Sequence, residues 1–201
     1  MSRRRLLALA IAAGVGATAV ACSSSDGREL PPPRVPQTTT SSLPGVQPPV
    51  GSVDVFSLSS PAFVEGSEIP ARFTCEGESL SPALEWTGTP LDASSLAIVV
   101  RDLNAGGFVH WTVTGIDPFV QAIGEDGLPE DAVEGENGTG TSGWVAPCPP
   151  AGSGVHTYQF SLLALVDPVV LPLDTPAEQV AAALEEAAIE RAVLNGTVTA
   201  G

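Results

Sequence analysis

Hydrophobic and polar positions divide the 201-residue chain into three stretches of different character. Leu6 to Val20 is apolar and uncharged. At about fifteen residues it is shorter than the roughly twenty that cross a bilayer as a helix, and it suits the apolar core of an export signal. Residues 23–52 show no hydrophobic period at all. From residue 53 onward, short apolar runs recur between turns marked by Gly and Pro, as strands do. Val53 to Leu58 alternates, and Ile69 to Thr74 follows a turn signal at Gly66. Leu96-Ala97-Ile98-Val99-Val100 is unbroken, as a strand buried on both faces requires. Phe108 to Ile116 and Tyr158 to Leu165, rich in aromatic and β-branched residues, read as two more strands.

One helix is predicted. Thr175 can cap it, Pro176 fits the first helical position and Glu178 completes a capping-box pattern. Ala177 to Leu194 is rich in the strong helix formers Ala, Leu and Glu. Asn195-Gly196 would stop it, and Thr197-Val198-Thr199 would return as a last strand. Gly124 to Gly154, crowded with Gly, Pro, Asp and Glu, reads as a loop long enough to carry function. Many strands with late helical content predict a mostly β body, an antiparallel β-sandwich with a peripheral C-terminal helix.

The N-terminal composition changes this picture by placing the domain outside the cytoplasm. Arg3, Arg4 and Arg5 precede the apolar run, and Ala19-Val20-Ala21-Cys22 resembles a lipobox, with Ala19 where a larger residue is usual. Residues 1–21 are thus expected to be a signal peptide and Cys22 a lipidated N-terminus on the extracytoplasmic face of the cell membrane. An ordinary signal cleaved after Ala19-x-Ala21 is the alternative. The Ser2-Arg3-Arg4 start leaves both the general and the twin-arginine export routes open. Residues 22–52 hold Pro31-Pro32-Pro33, Pro36, a Thr38–Ser42 tract, Pro44, Pro48 and Pro49. So little apolar surface cannot offset the entropy of ordering, so this stretch is expected to be a disordered, semi-extended stalk. Residues 53–201 remain as one domain.

Charge then restricts the partners. The chain has 8 basic and 23 acidic residues and no lysine; without Arg3–Arg5 the net charge is about −18. Such a surface repels phosphate backbones and anionic headgroups, which disfavours nucleic acid. Membrane contact is left to the lipid.

The two histidines both sit beside glycine-rich turns, in Gly107-Phe108-Val109-His110-Trp111 and Gly154-Val155-His156-Thr157-Tyr158. Asp102 closes the buried run before the first, and Trp144-Val145-Ala146-Pro147-Cys148-Pro149-Pro150 precedes the second. Phe73-Thr74-Cys75-Glu76-Gly77 and Ser81-Pro82-Ala83-Leu84-Glu85-Trp86 lie upstream. Together, from about Val53 to Thr199, these segments resemble the phosphatidylethanolamine-binding protein family, in its bacterial Raf-kinase-inhibitor-like branch. The family's Asp-Pro-Asp-Ala-Pro stands here as Asp102-Leu103-Asn104-Ala105-Gly106, and Thr157 replaces the arginine of its His-Arg-Tyr.

The resemblance implies an antiparallel β-sandwich with a small anion pocket at one end. By matching position, that pocket would use Asp102, His110, His156 and Tyr158, walled by Pro149 and Pro150. Directed donors suit a phosphate, and Asp102 could fix an imidazole tautomer or receive an amine. Trp86, Trp111 and Phe160 are read as core aromatics. Glu76, Glu78, Glu85 and the acidic loop Glu125 to Glu136 are read as solvated.

The expected function is a non-enzymatic module binding a small anion or phosphorylated head group, with no cofactor. No Gly-x-Ser-x-Gly elbow, P-loop or metal-spaced His/Cys motif is present. An inhibitor of an extracytoplasmic protease or another partner protein is the alternative, since eukaryotic relatives resemble kinase or protease regulators. A hydrolase using the histidines as acid and base is a third reading. With Cys22 lipidated, Cys75 and Cys148 remain as an even pair in an oxidising compartment, which predicts a disulfide; two buried thiols are the alternative.

Overall fold

Most of the apolar runs become strands because their side chains alternate between two faces. The computed structural model describes residues 54–172 and 175–201. The expected export signal, the Cys22 lipid site and the Pro-rich stalk lie outside the described residues. A small antiparallel sheet has the order β1 (Ser57–Ser59), β2 (Leu84–Thr87), β5 (Ala122–Ile123). A larger one has the order β6 (Val133–Glu134), β4 (Phe108–Ile116), β3 (Ser95–Asp102), β7 (Val155–Leu165), β8 (Glu190–Thr199). The helix α1 (Ala177–Ala187) covers the outer face of the larger sheet.

The larger sheet is buried on both sides, which explains the unbroken run in β3. Leu96, Ile98 and Val100 join Trp86, Trp111, Phe160 and Leu162 in the core between the sheets. Ala97 and Val99 point the other way, against Ala177, Ala181 and Leu184 of α1. Each large aliphatic side chain taken fully out of water here contributes about 1.5–3 kcal/mol. The three aromatics read as core, Trp86, Trp111 and Phe160, are all buried. The chain therefore has the expected antiparallel, mostly β architecture with a C-terminal helix on its periphery.

Three expected elements are corrected. The helix stops at Ala187, and Ala188 is already extended (φ −69°, ψ 128°). The chain then enters β8, whose buried positions Ala192, Leu194, Gly196 and Val198 have period two. Pairing with β7 along its whole length overrides the helical propensity of Ala and Leu. Gly196 is therefore no stop signal. A Cβ there would lie 2.5 Å from Ile69 Cγ1 and 2.9 Å from Phe63 Cε2, so only glycine fits beneath them. At the other end of α1 the N-cap position is Pro176 without a side-chain cap bond, so the expected Thr175 cap does not form.

Ile69 to Thr74 is not a strand. Its core is a 3-10 turn, Ala71–Phe73, because Pro70 cannot donate to a ladder. Ile69 N–H still donates to Thr197 O at 2.8 Å, which fixes the segment to β8. Of the expected strand Val53 to Leu58, Val53 lies outside the described residues, and from Asp54 on only Ser57 and Leu58 are strand. The Gly124–Gly154 loop is irregular apart from the two residues of β6 and one isolated bridge, Glu136 to Ser142. Cys75 and Cys148 are bonded, with Cα atoms 5.3 Å apart, as predicted, and the bond ties the 3-10 segment to that loop. Both cysteines are exposed rather than buried.

Candidate functional site

Strand register gathers the expected residues at one end of the larger sheet. Asp102 ends β3 and pairs directly with Tyr158 on β7. His156 lies two residues before Tyr158, on the same face of that strand. His110 reaches the same place by an irregularity. Val100 pairs with Trp111 but Arg101 pairs with Val109, so His110 is an extra residue on β4. Such a bulge re-aims a side chain. Val109 faces the helix while His110 and Trp111 turn toward the inter-sheet side. The His110 ring then meets Tyr158 edge-on, with centroids 5.0 Å apart, and Phe108 at 4.9 Å.

All four polar residues are buried: Asp102, His110, His156 and Tyr158. Burial of this kind requires hydrogen bonds, and the pattern of those bonds fixes the chemistry. Asp102 Oδ1 accepts the backbone N–H groups of Asn104 (2.8 Å) and Ala105 (3.1 Å). Its Oδ2 lies 2.7 Å from His156 Nδ1. Of the two roles expected of Asp102, orienting an imidazole is the one that this contact forms, and Oδ2 keeps a second lone pair. His110 Nδ1 lies 2.7 Å from the Val145 carbonyl, which can only accept, so Nδ1 carries the proton. Facing a carboxylate and a carbonyl, both imidazoles hold Nδ1–H and keep Nε2 without a protein partner among the described residues. Burial lowers the His110 pKa below 6.5, against the opposing pull of Val145 and Asp102.

Tyr158 completes the group. Its hydroxyl is buried near Asp102 and makes no hydrogen bond of good geometry among the described residues. Burial first, and the negative charge of Asp102 second, raise its pKa, so it stays an O–H donor at any physiological pH.

Positive charge is scarce around these residues. The Arg101 guanidinium beside Asp102 in sequence is committed to Glu185 (3.0 Å) and the Gly107 carbonyl (2.9 Å). Arg72 is paired with Glu78 and Glu125. Glu125 is thus not simply solvated, and neither is Glu134, which accepts the Trp111 indole N–H at 2.6 Å. Glu76 and Glu85 are exposed, as expected. No cluster of three or more His, Cys, Asp or Glu suited to a metal occurs among the described residues.

Pro149 and Pro150 stand between the disulfide and β7; Pro149 is half-buried and Pro150 exposed. Pro150 O accepts both the backbone N–H and the hydroxyl of Ser153, which closes the turn into His156. The structure thus brings Asp102, His110, His156 and Tyr158 into one constellation, while Pro149 and Pro150 precede the turn that leads into His156.

Several contributors were not among the expected site residues. Asn137 is buried, donates to Gly143 O (2.9 Å) and accepts from Thr139 N–H (2.9 Å), shaping the loop that delivers Trp144 and Val145. An Asn inside Glu136-Asn137-Gly138-Thr139-Gly140-Thr141 is the one turn signal that could have pointed to it. Asn104, through Oδ1, accepts the Thr157 N–H at 2.8 Å and so links the loop after β3 to β7. Trp144, which opens the segment before His156 in the sequence, stacks on Phe160 with centroids 6.2 Å apart.

Comparison with known proteins places the chain in a family. The family model for phosphatidylethanolamine-binding protein matches residues 59–199. LppC of Mycobacterium tuberculosis, named as a candidate lipoprotein, is 38% identical over 174 residues, covering 86% of this chain and 84% of that one. A UPF0098 protein of Methanothermobacter thermautotrophicus is 38% identical over 152 residues, covering 72% of this chain and 99% of its own. Among solved structures, Escherichia coli YbcL, described as a member of the mammalian PEBP family, superposes with a TM-score of 0.65 at 29% identity, covering 71% of this chain and 96% of that one. A PEBP homologue of Chlamydia trachomatis, CT736, gives 0.63 at 32% identity, covering 72% and 97%. With the family model matched over residues 59–199 and relatives 38% identical over most of its length, the chain belongs to the phosphatidylethanolamine-binding protein family.

Proposed function

We propose that this protein is a lipid-tethered extracytoplasmic module whose site at Asp102, His110, His156 and Tyr158 takes a small anion or phosphorylated head group without turning it over. The observation that carries the reading is the shared orientation of the imidazoles. Each is held at Nδ1 by an acceptor 2.7 Å away, which leaves two Nε2 atoms and an unpartnered Tyr158 hydroxyl for a ligand. A phosphate monoanion matches that set. Its oxygens accept from Tyr158 and from a charged imidazole, and its P–O–H donates to a neutral one. Pro149 and Pro150 wall the approach. Among the described residues Arg72 and Arg101 are paired and Arg191 lies opposite Leu163, well along β7 from His156, so the positive charge must come from the histidines themselves.

The tether rests on Cys22 and its lipobox-like context. The likeness to LppC supports it, because an alignment of 174 residues is longer than the stretch from Asp54 to Gly201 and so includes part of the N-terminal region. No helix among the described residues is long and apolar enough to cross a membrane.

Calorimetric titration with inorganic phosphate and phosphoethanolamine tests the binding reading. Saturable binding at millimolar ligand or below, weakened at least tenfold in His156→Ala, is the expected result. Wild-type protein that releases no heat with either ligand at 10 mM, a generous bound for a physiological site, would remove it. The Asp102–His156 pair also has the form of an oriented general base, so a hydrolase remains the second reading. Turnover of phosphoesters that vanishes in His156→Ala would establish it in place of the first.

A further inference from the structure

A second surface lies at the opposite end of the larger sheet. Asp102 ends β3; Ser95 begins it, roughly 23 Å away at the usual strand rise. Around Ser95 two turns project bulky apolar side chains into solvent. One, in which Ala93 N–H donates to Pro90 O at 3.0 Å, holds Leu91, whose relative exposure is 103%. In the other, Asp117 accepts the N–H of Phe119 (2.8 Å) and of Val120 (3.0 Å), holding Phe119 at 91% exposure. Val55, at 74%, joins them, and the three border a groove of about 810 Å³.

Exposed Leu and Phe at the tips of hydrogen-bonded turns are preorganised contacts, since little freedom is lost when something covers them. Pro118 is shared with a neighbouring acidic groove lined by Asp117, Glu130 and Asp131. Asp54 and Glu190 line the apolar groove itself, and no arginine lines either one.

We infer that this pole is a docking surface for an extended segment of a partner protein in which apolar side chains alternate with Lys and Arg. Charge selects that occupant. A second copy of this chain, itself at a net charge of about −18 without its Arg3–Arg5 start, would oppose acid to acid. An anionic bilayer is repelled for the same reason. A basic and apolar segment satisfies both grooves at once, with Leu91 and Phe119 as anchors and Asp117, Glu130 and Asp131 setting register.

The test uses the purified full chain and a fluorescent peptide in which Leu, Val and Phe alternate with Lys and Arg. A matched peptide with Glu at the basic positions is the control. Saturable binding of the basic peptide is expected, reduced at least tenfold by Leu91→Ser with Phe119→Ser and reduced similarly by Asp117→Asn with Glu130→Gln and Asp131→Asn. Removing equal charge outside the grooves, by Glu76→Gln, Glu78→Gln and Glu85→Gln, is expected to change affinity less than threefold. Equal loss in both charge sets, or no loss on replacing Leu91 and Phe119, would reduce the binding to non-specific attraction and overturn the inference. Phe119-dependent binding to zwitterionic vesicles that exceeds peptide binding, or Phe119-dependent self-association, would assign the surface to a membrane or to a second copy instead.

Discussion

Tyr158 is the residue at which fold and function pull in opposite directions. Its buried hydroxyl makes no hydrogen bond of good geometry among the described residues, and a buried hydroxyl left unsatisfied costs about 1–3 kcal/mol. Tyr158→Phe is therefore expected to leave stability unchanged or raise it by about 1 kcal/mol, while weakening phosphate binding about five- to tenfold. Chemical denaturation and calorimetry on the same variant check both signs. His110 gives a second opposition, read in pH. Its folded pKa lies below 6.5, so between that value and 6.5 the unfolded chain binds more protons than the native one. The His110 contribution to stability is therefore full above 6.5 and falls as pH drops through that window. Anion affinity has the other sign, because a protonated ring adds a donor and a charge. For sulfate, whose charge is constant here, acidifying from pH 7 to 5.5 is expected to tighten binding while lowering Tm, and His110→Gln should flatten both trends. Asp102, His110, His156 and Tyr158 could be named from the sequence because they match the pocket positions of the family it resembles, and because the chain has only two histidines. The carbonyl of Val145 and the amide of Asn137 could not, since backbone acceptors and loop-shaping amides carry no residue-type signature of the site they build.

Elements aim these residues, and the bulge in β4 is the device that matters most. With regular pairing His110 would share no face with Trp111; the extra residue brings both to the inter-sheet side. Gly138 supports that arrangement from behind. A Cβ there would lie 2.5 Å from Phe108 Cε2, against a ring that packs on His110. Gly138→Ala is expected to cost about 1–3 kcal/mol through overpacking and to perturb the His110 ring signals. Gly196→Ala, pressing on Ile69 and Phe63, is expected to cost a similar amount while leaving the His110 signals in place. Denaturant midpoints with imidazole spectra separate the two. The β3, β4 and β7 runs were readable because they are long and buried. The boundary between α1 and β8 was not, because Ala, Leu and Glu favour a helix locally, and only the ladder to β7 and the contact of Gly196 with Ile69 make residues 190–199 a strand. The same competition hid the 3-10 turn, where Ile69 and Phe73 are buried as in a strand but Pro70 breaks the ladder.

At the scale of the molecule, the disulfide joins two stretches that surround the site. Cys75 N–H donates to Pro147 O at 3.0 Å, and the Cys75–Cys148 bond closes the segment that leads through Pro149 and Pro150 into His156. Opening a loop with a separation of 73 residues is expected to cost about 4 kcal/mol in the chain-entropy model. Cys75→Ala with Cys148→Ala should lower the denaturation midpoint accordingly. The lipid tether is tested separately by Cys22→Ala, which should move the protein from the membrane fraction to the soluble extracytoplasmic one. All of these properties converge on one claim, that the oriented imidazoles supply the donors and the positive charge for an anion at a site beside which Arg101 is already paired. The most direct measurement tracks the His110 and His156 ring resonances while phosphate is titrated to 10 mM at pH 6.5, a bound set to include weak physiological affinities. Saturable shifts of both rings with one shared affinity, accompanied by Tyr158, are the expected result. Rings that stay unmoved, or that shift only in proportion to ionic strength, would contradict it.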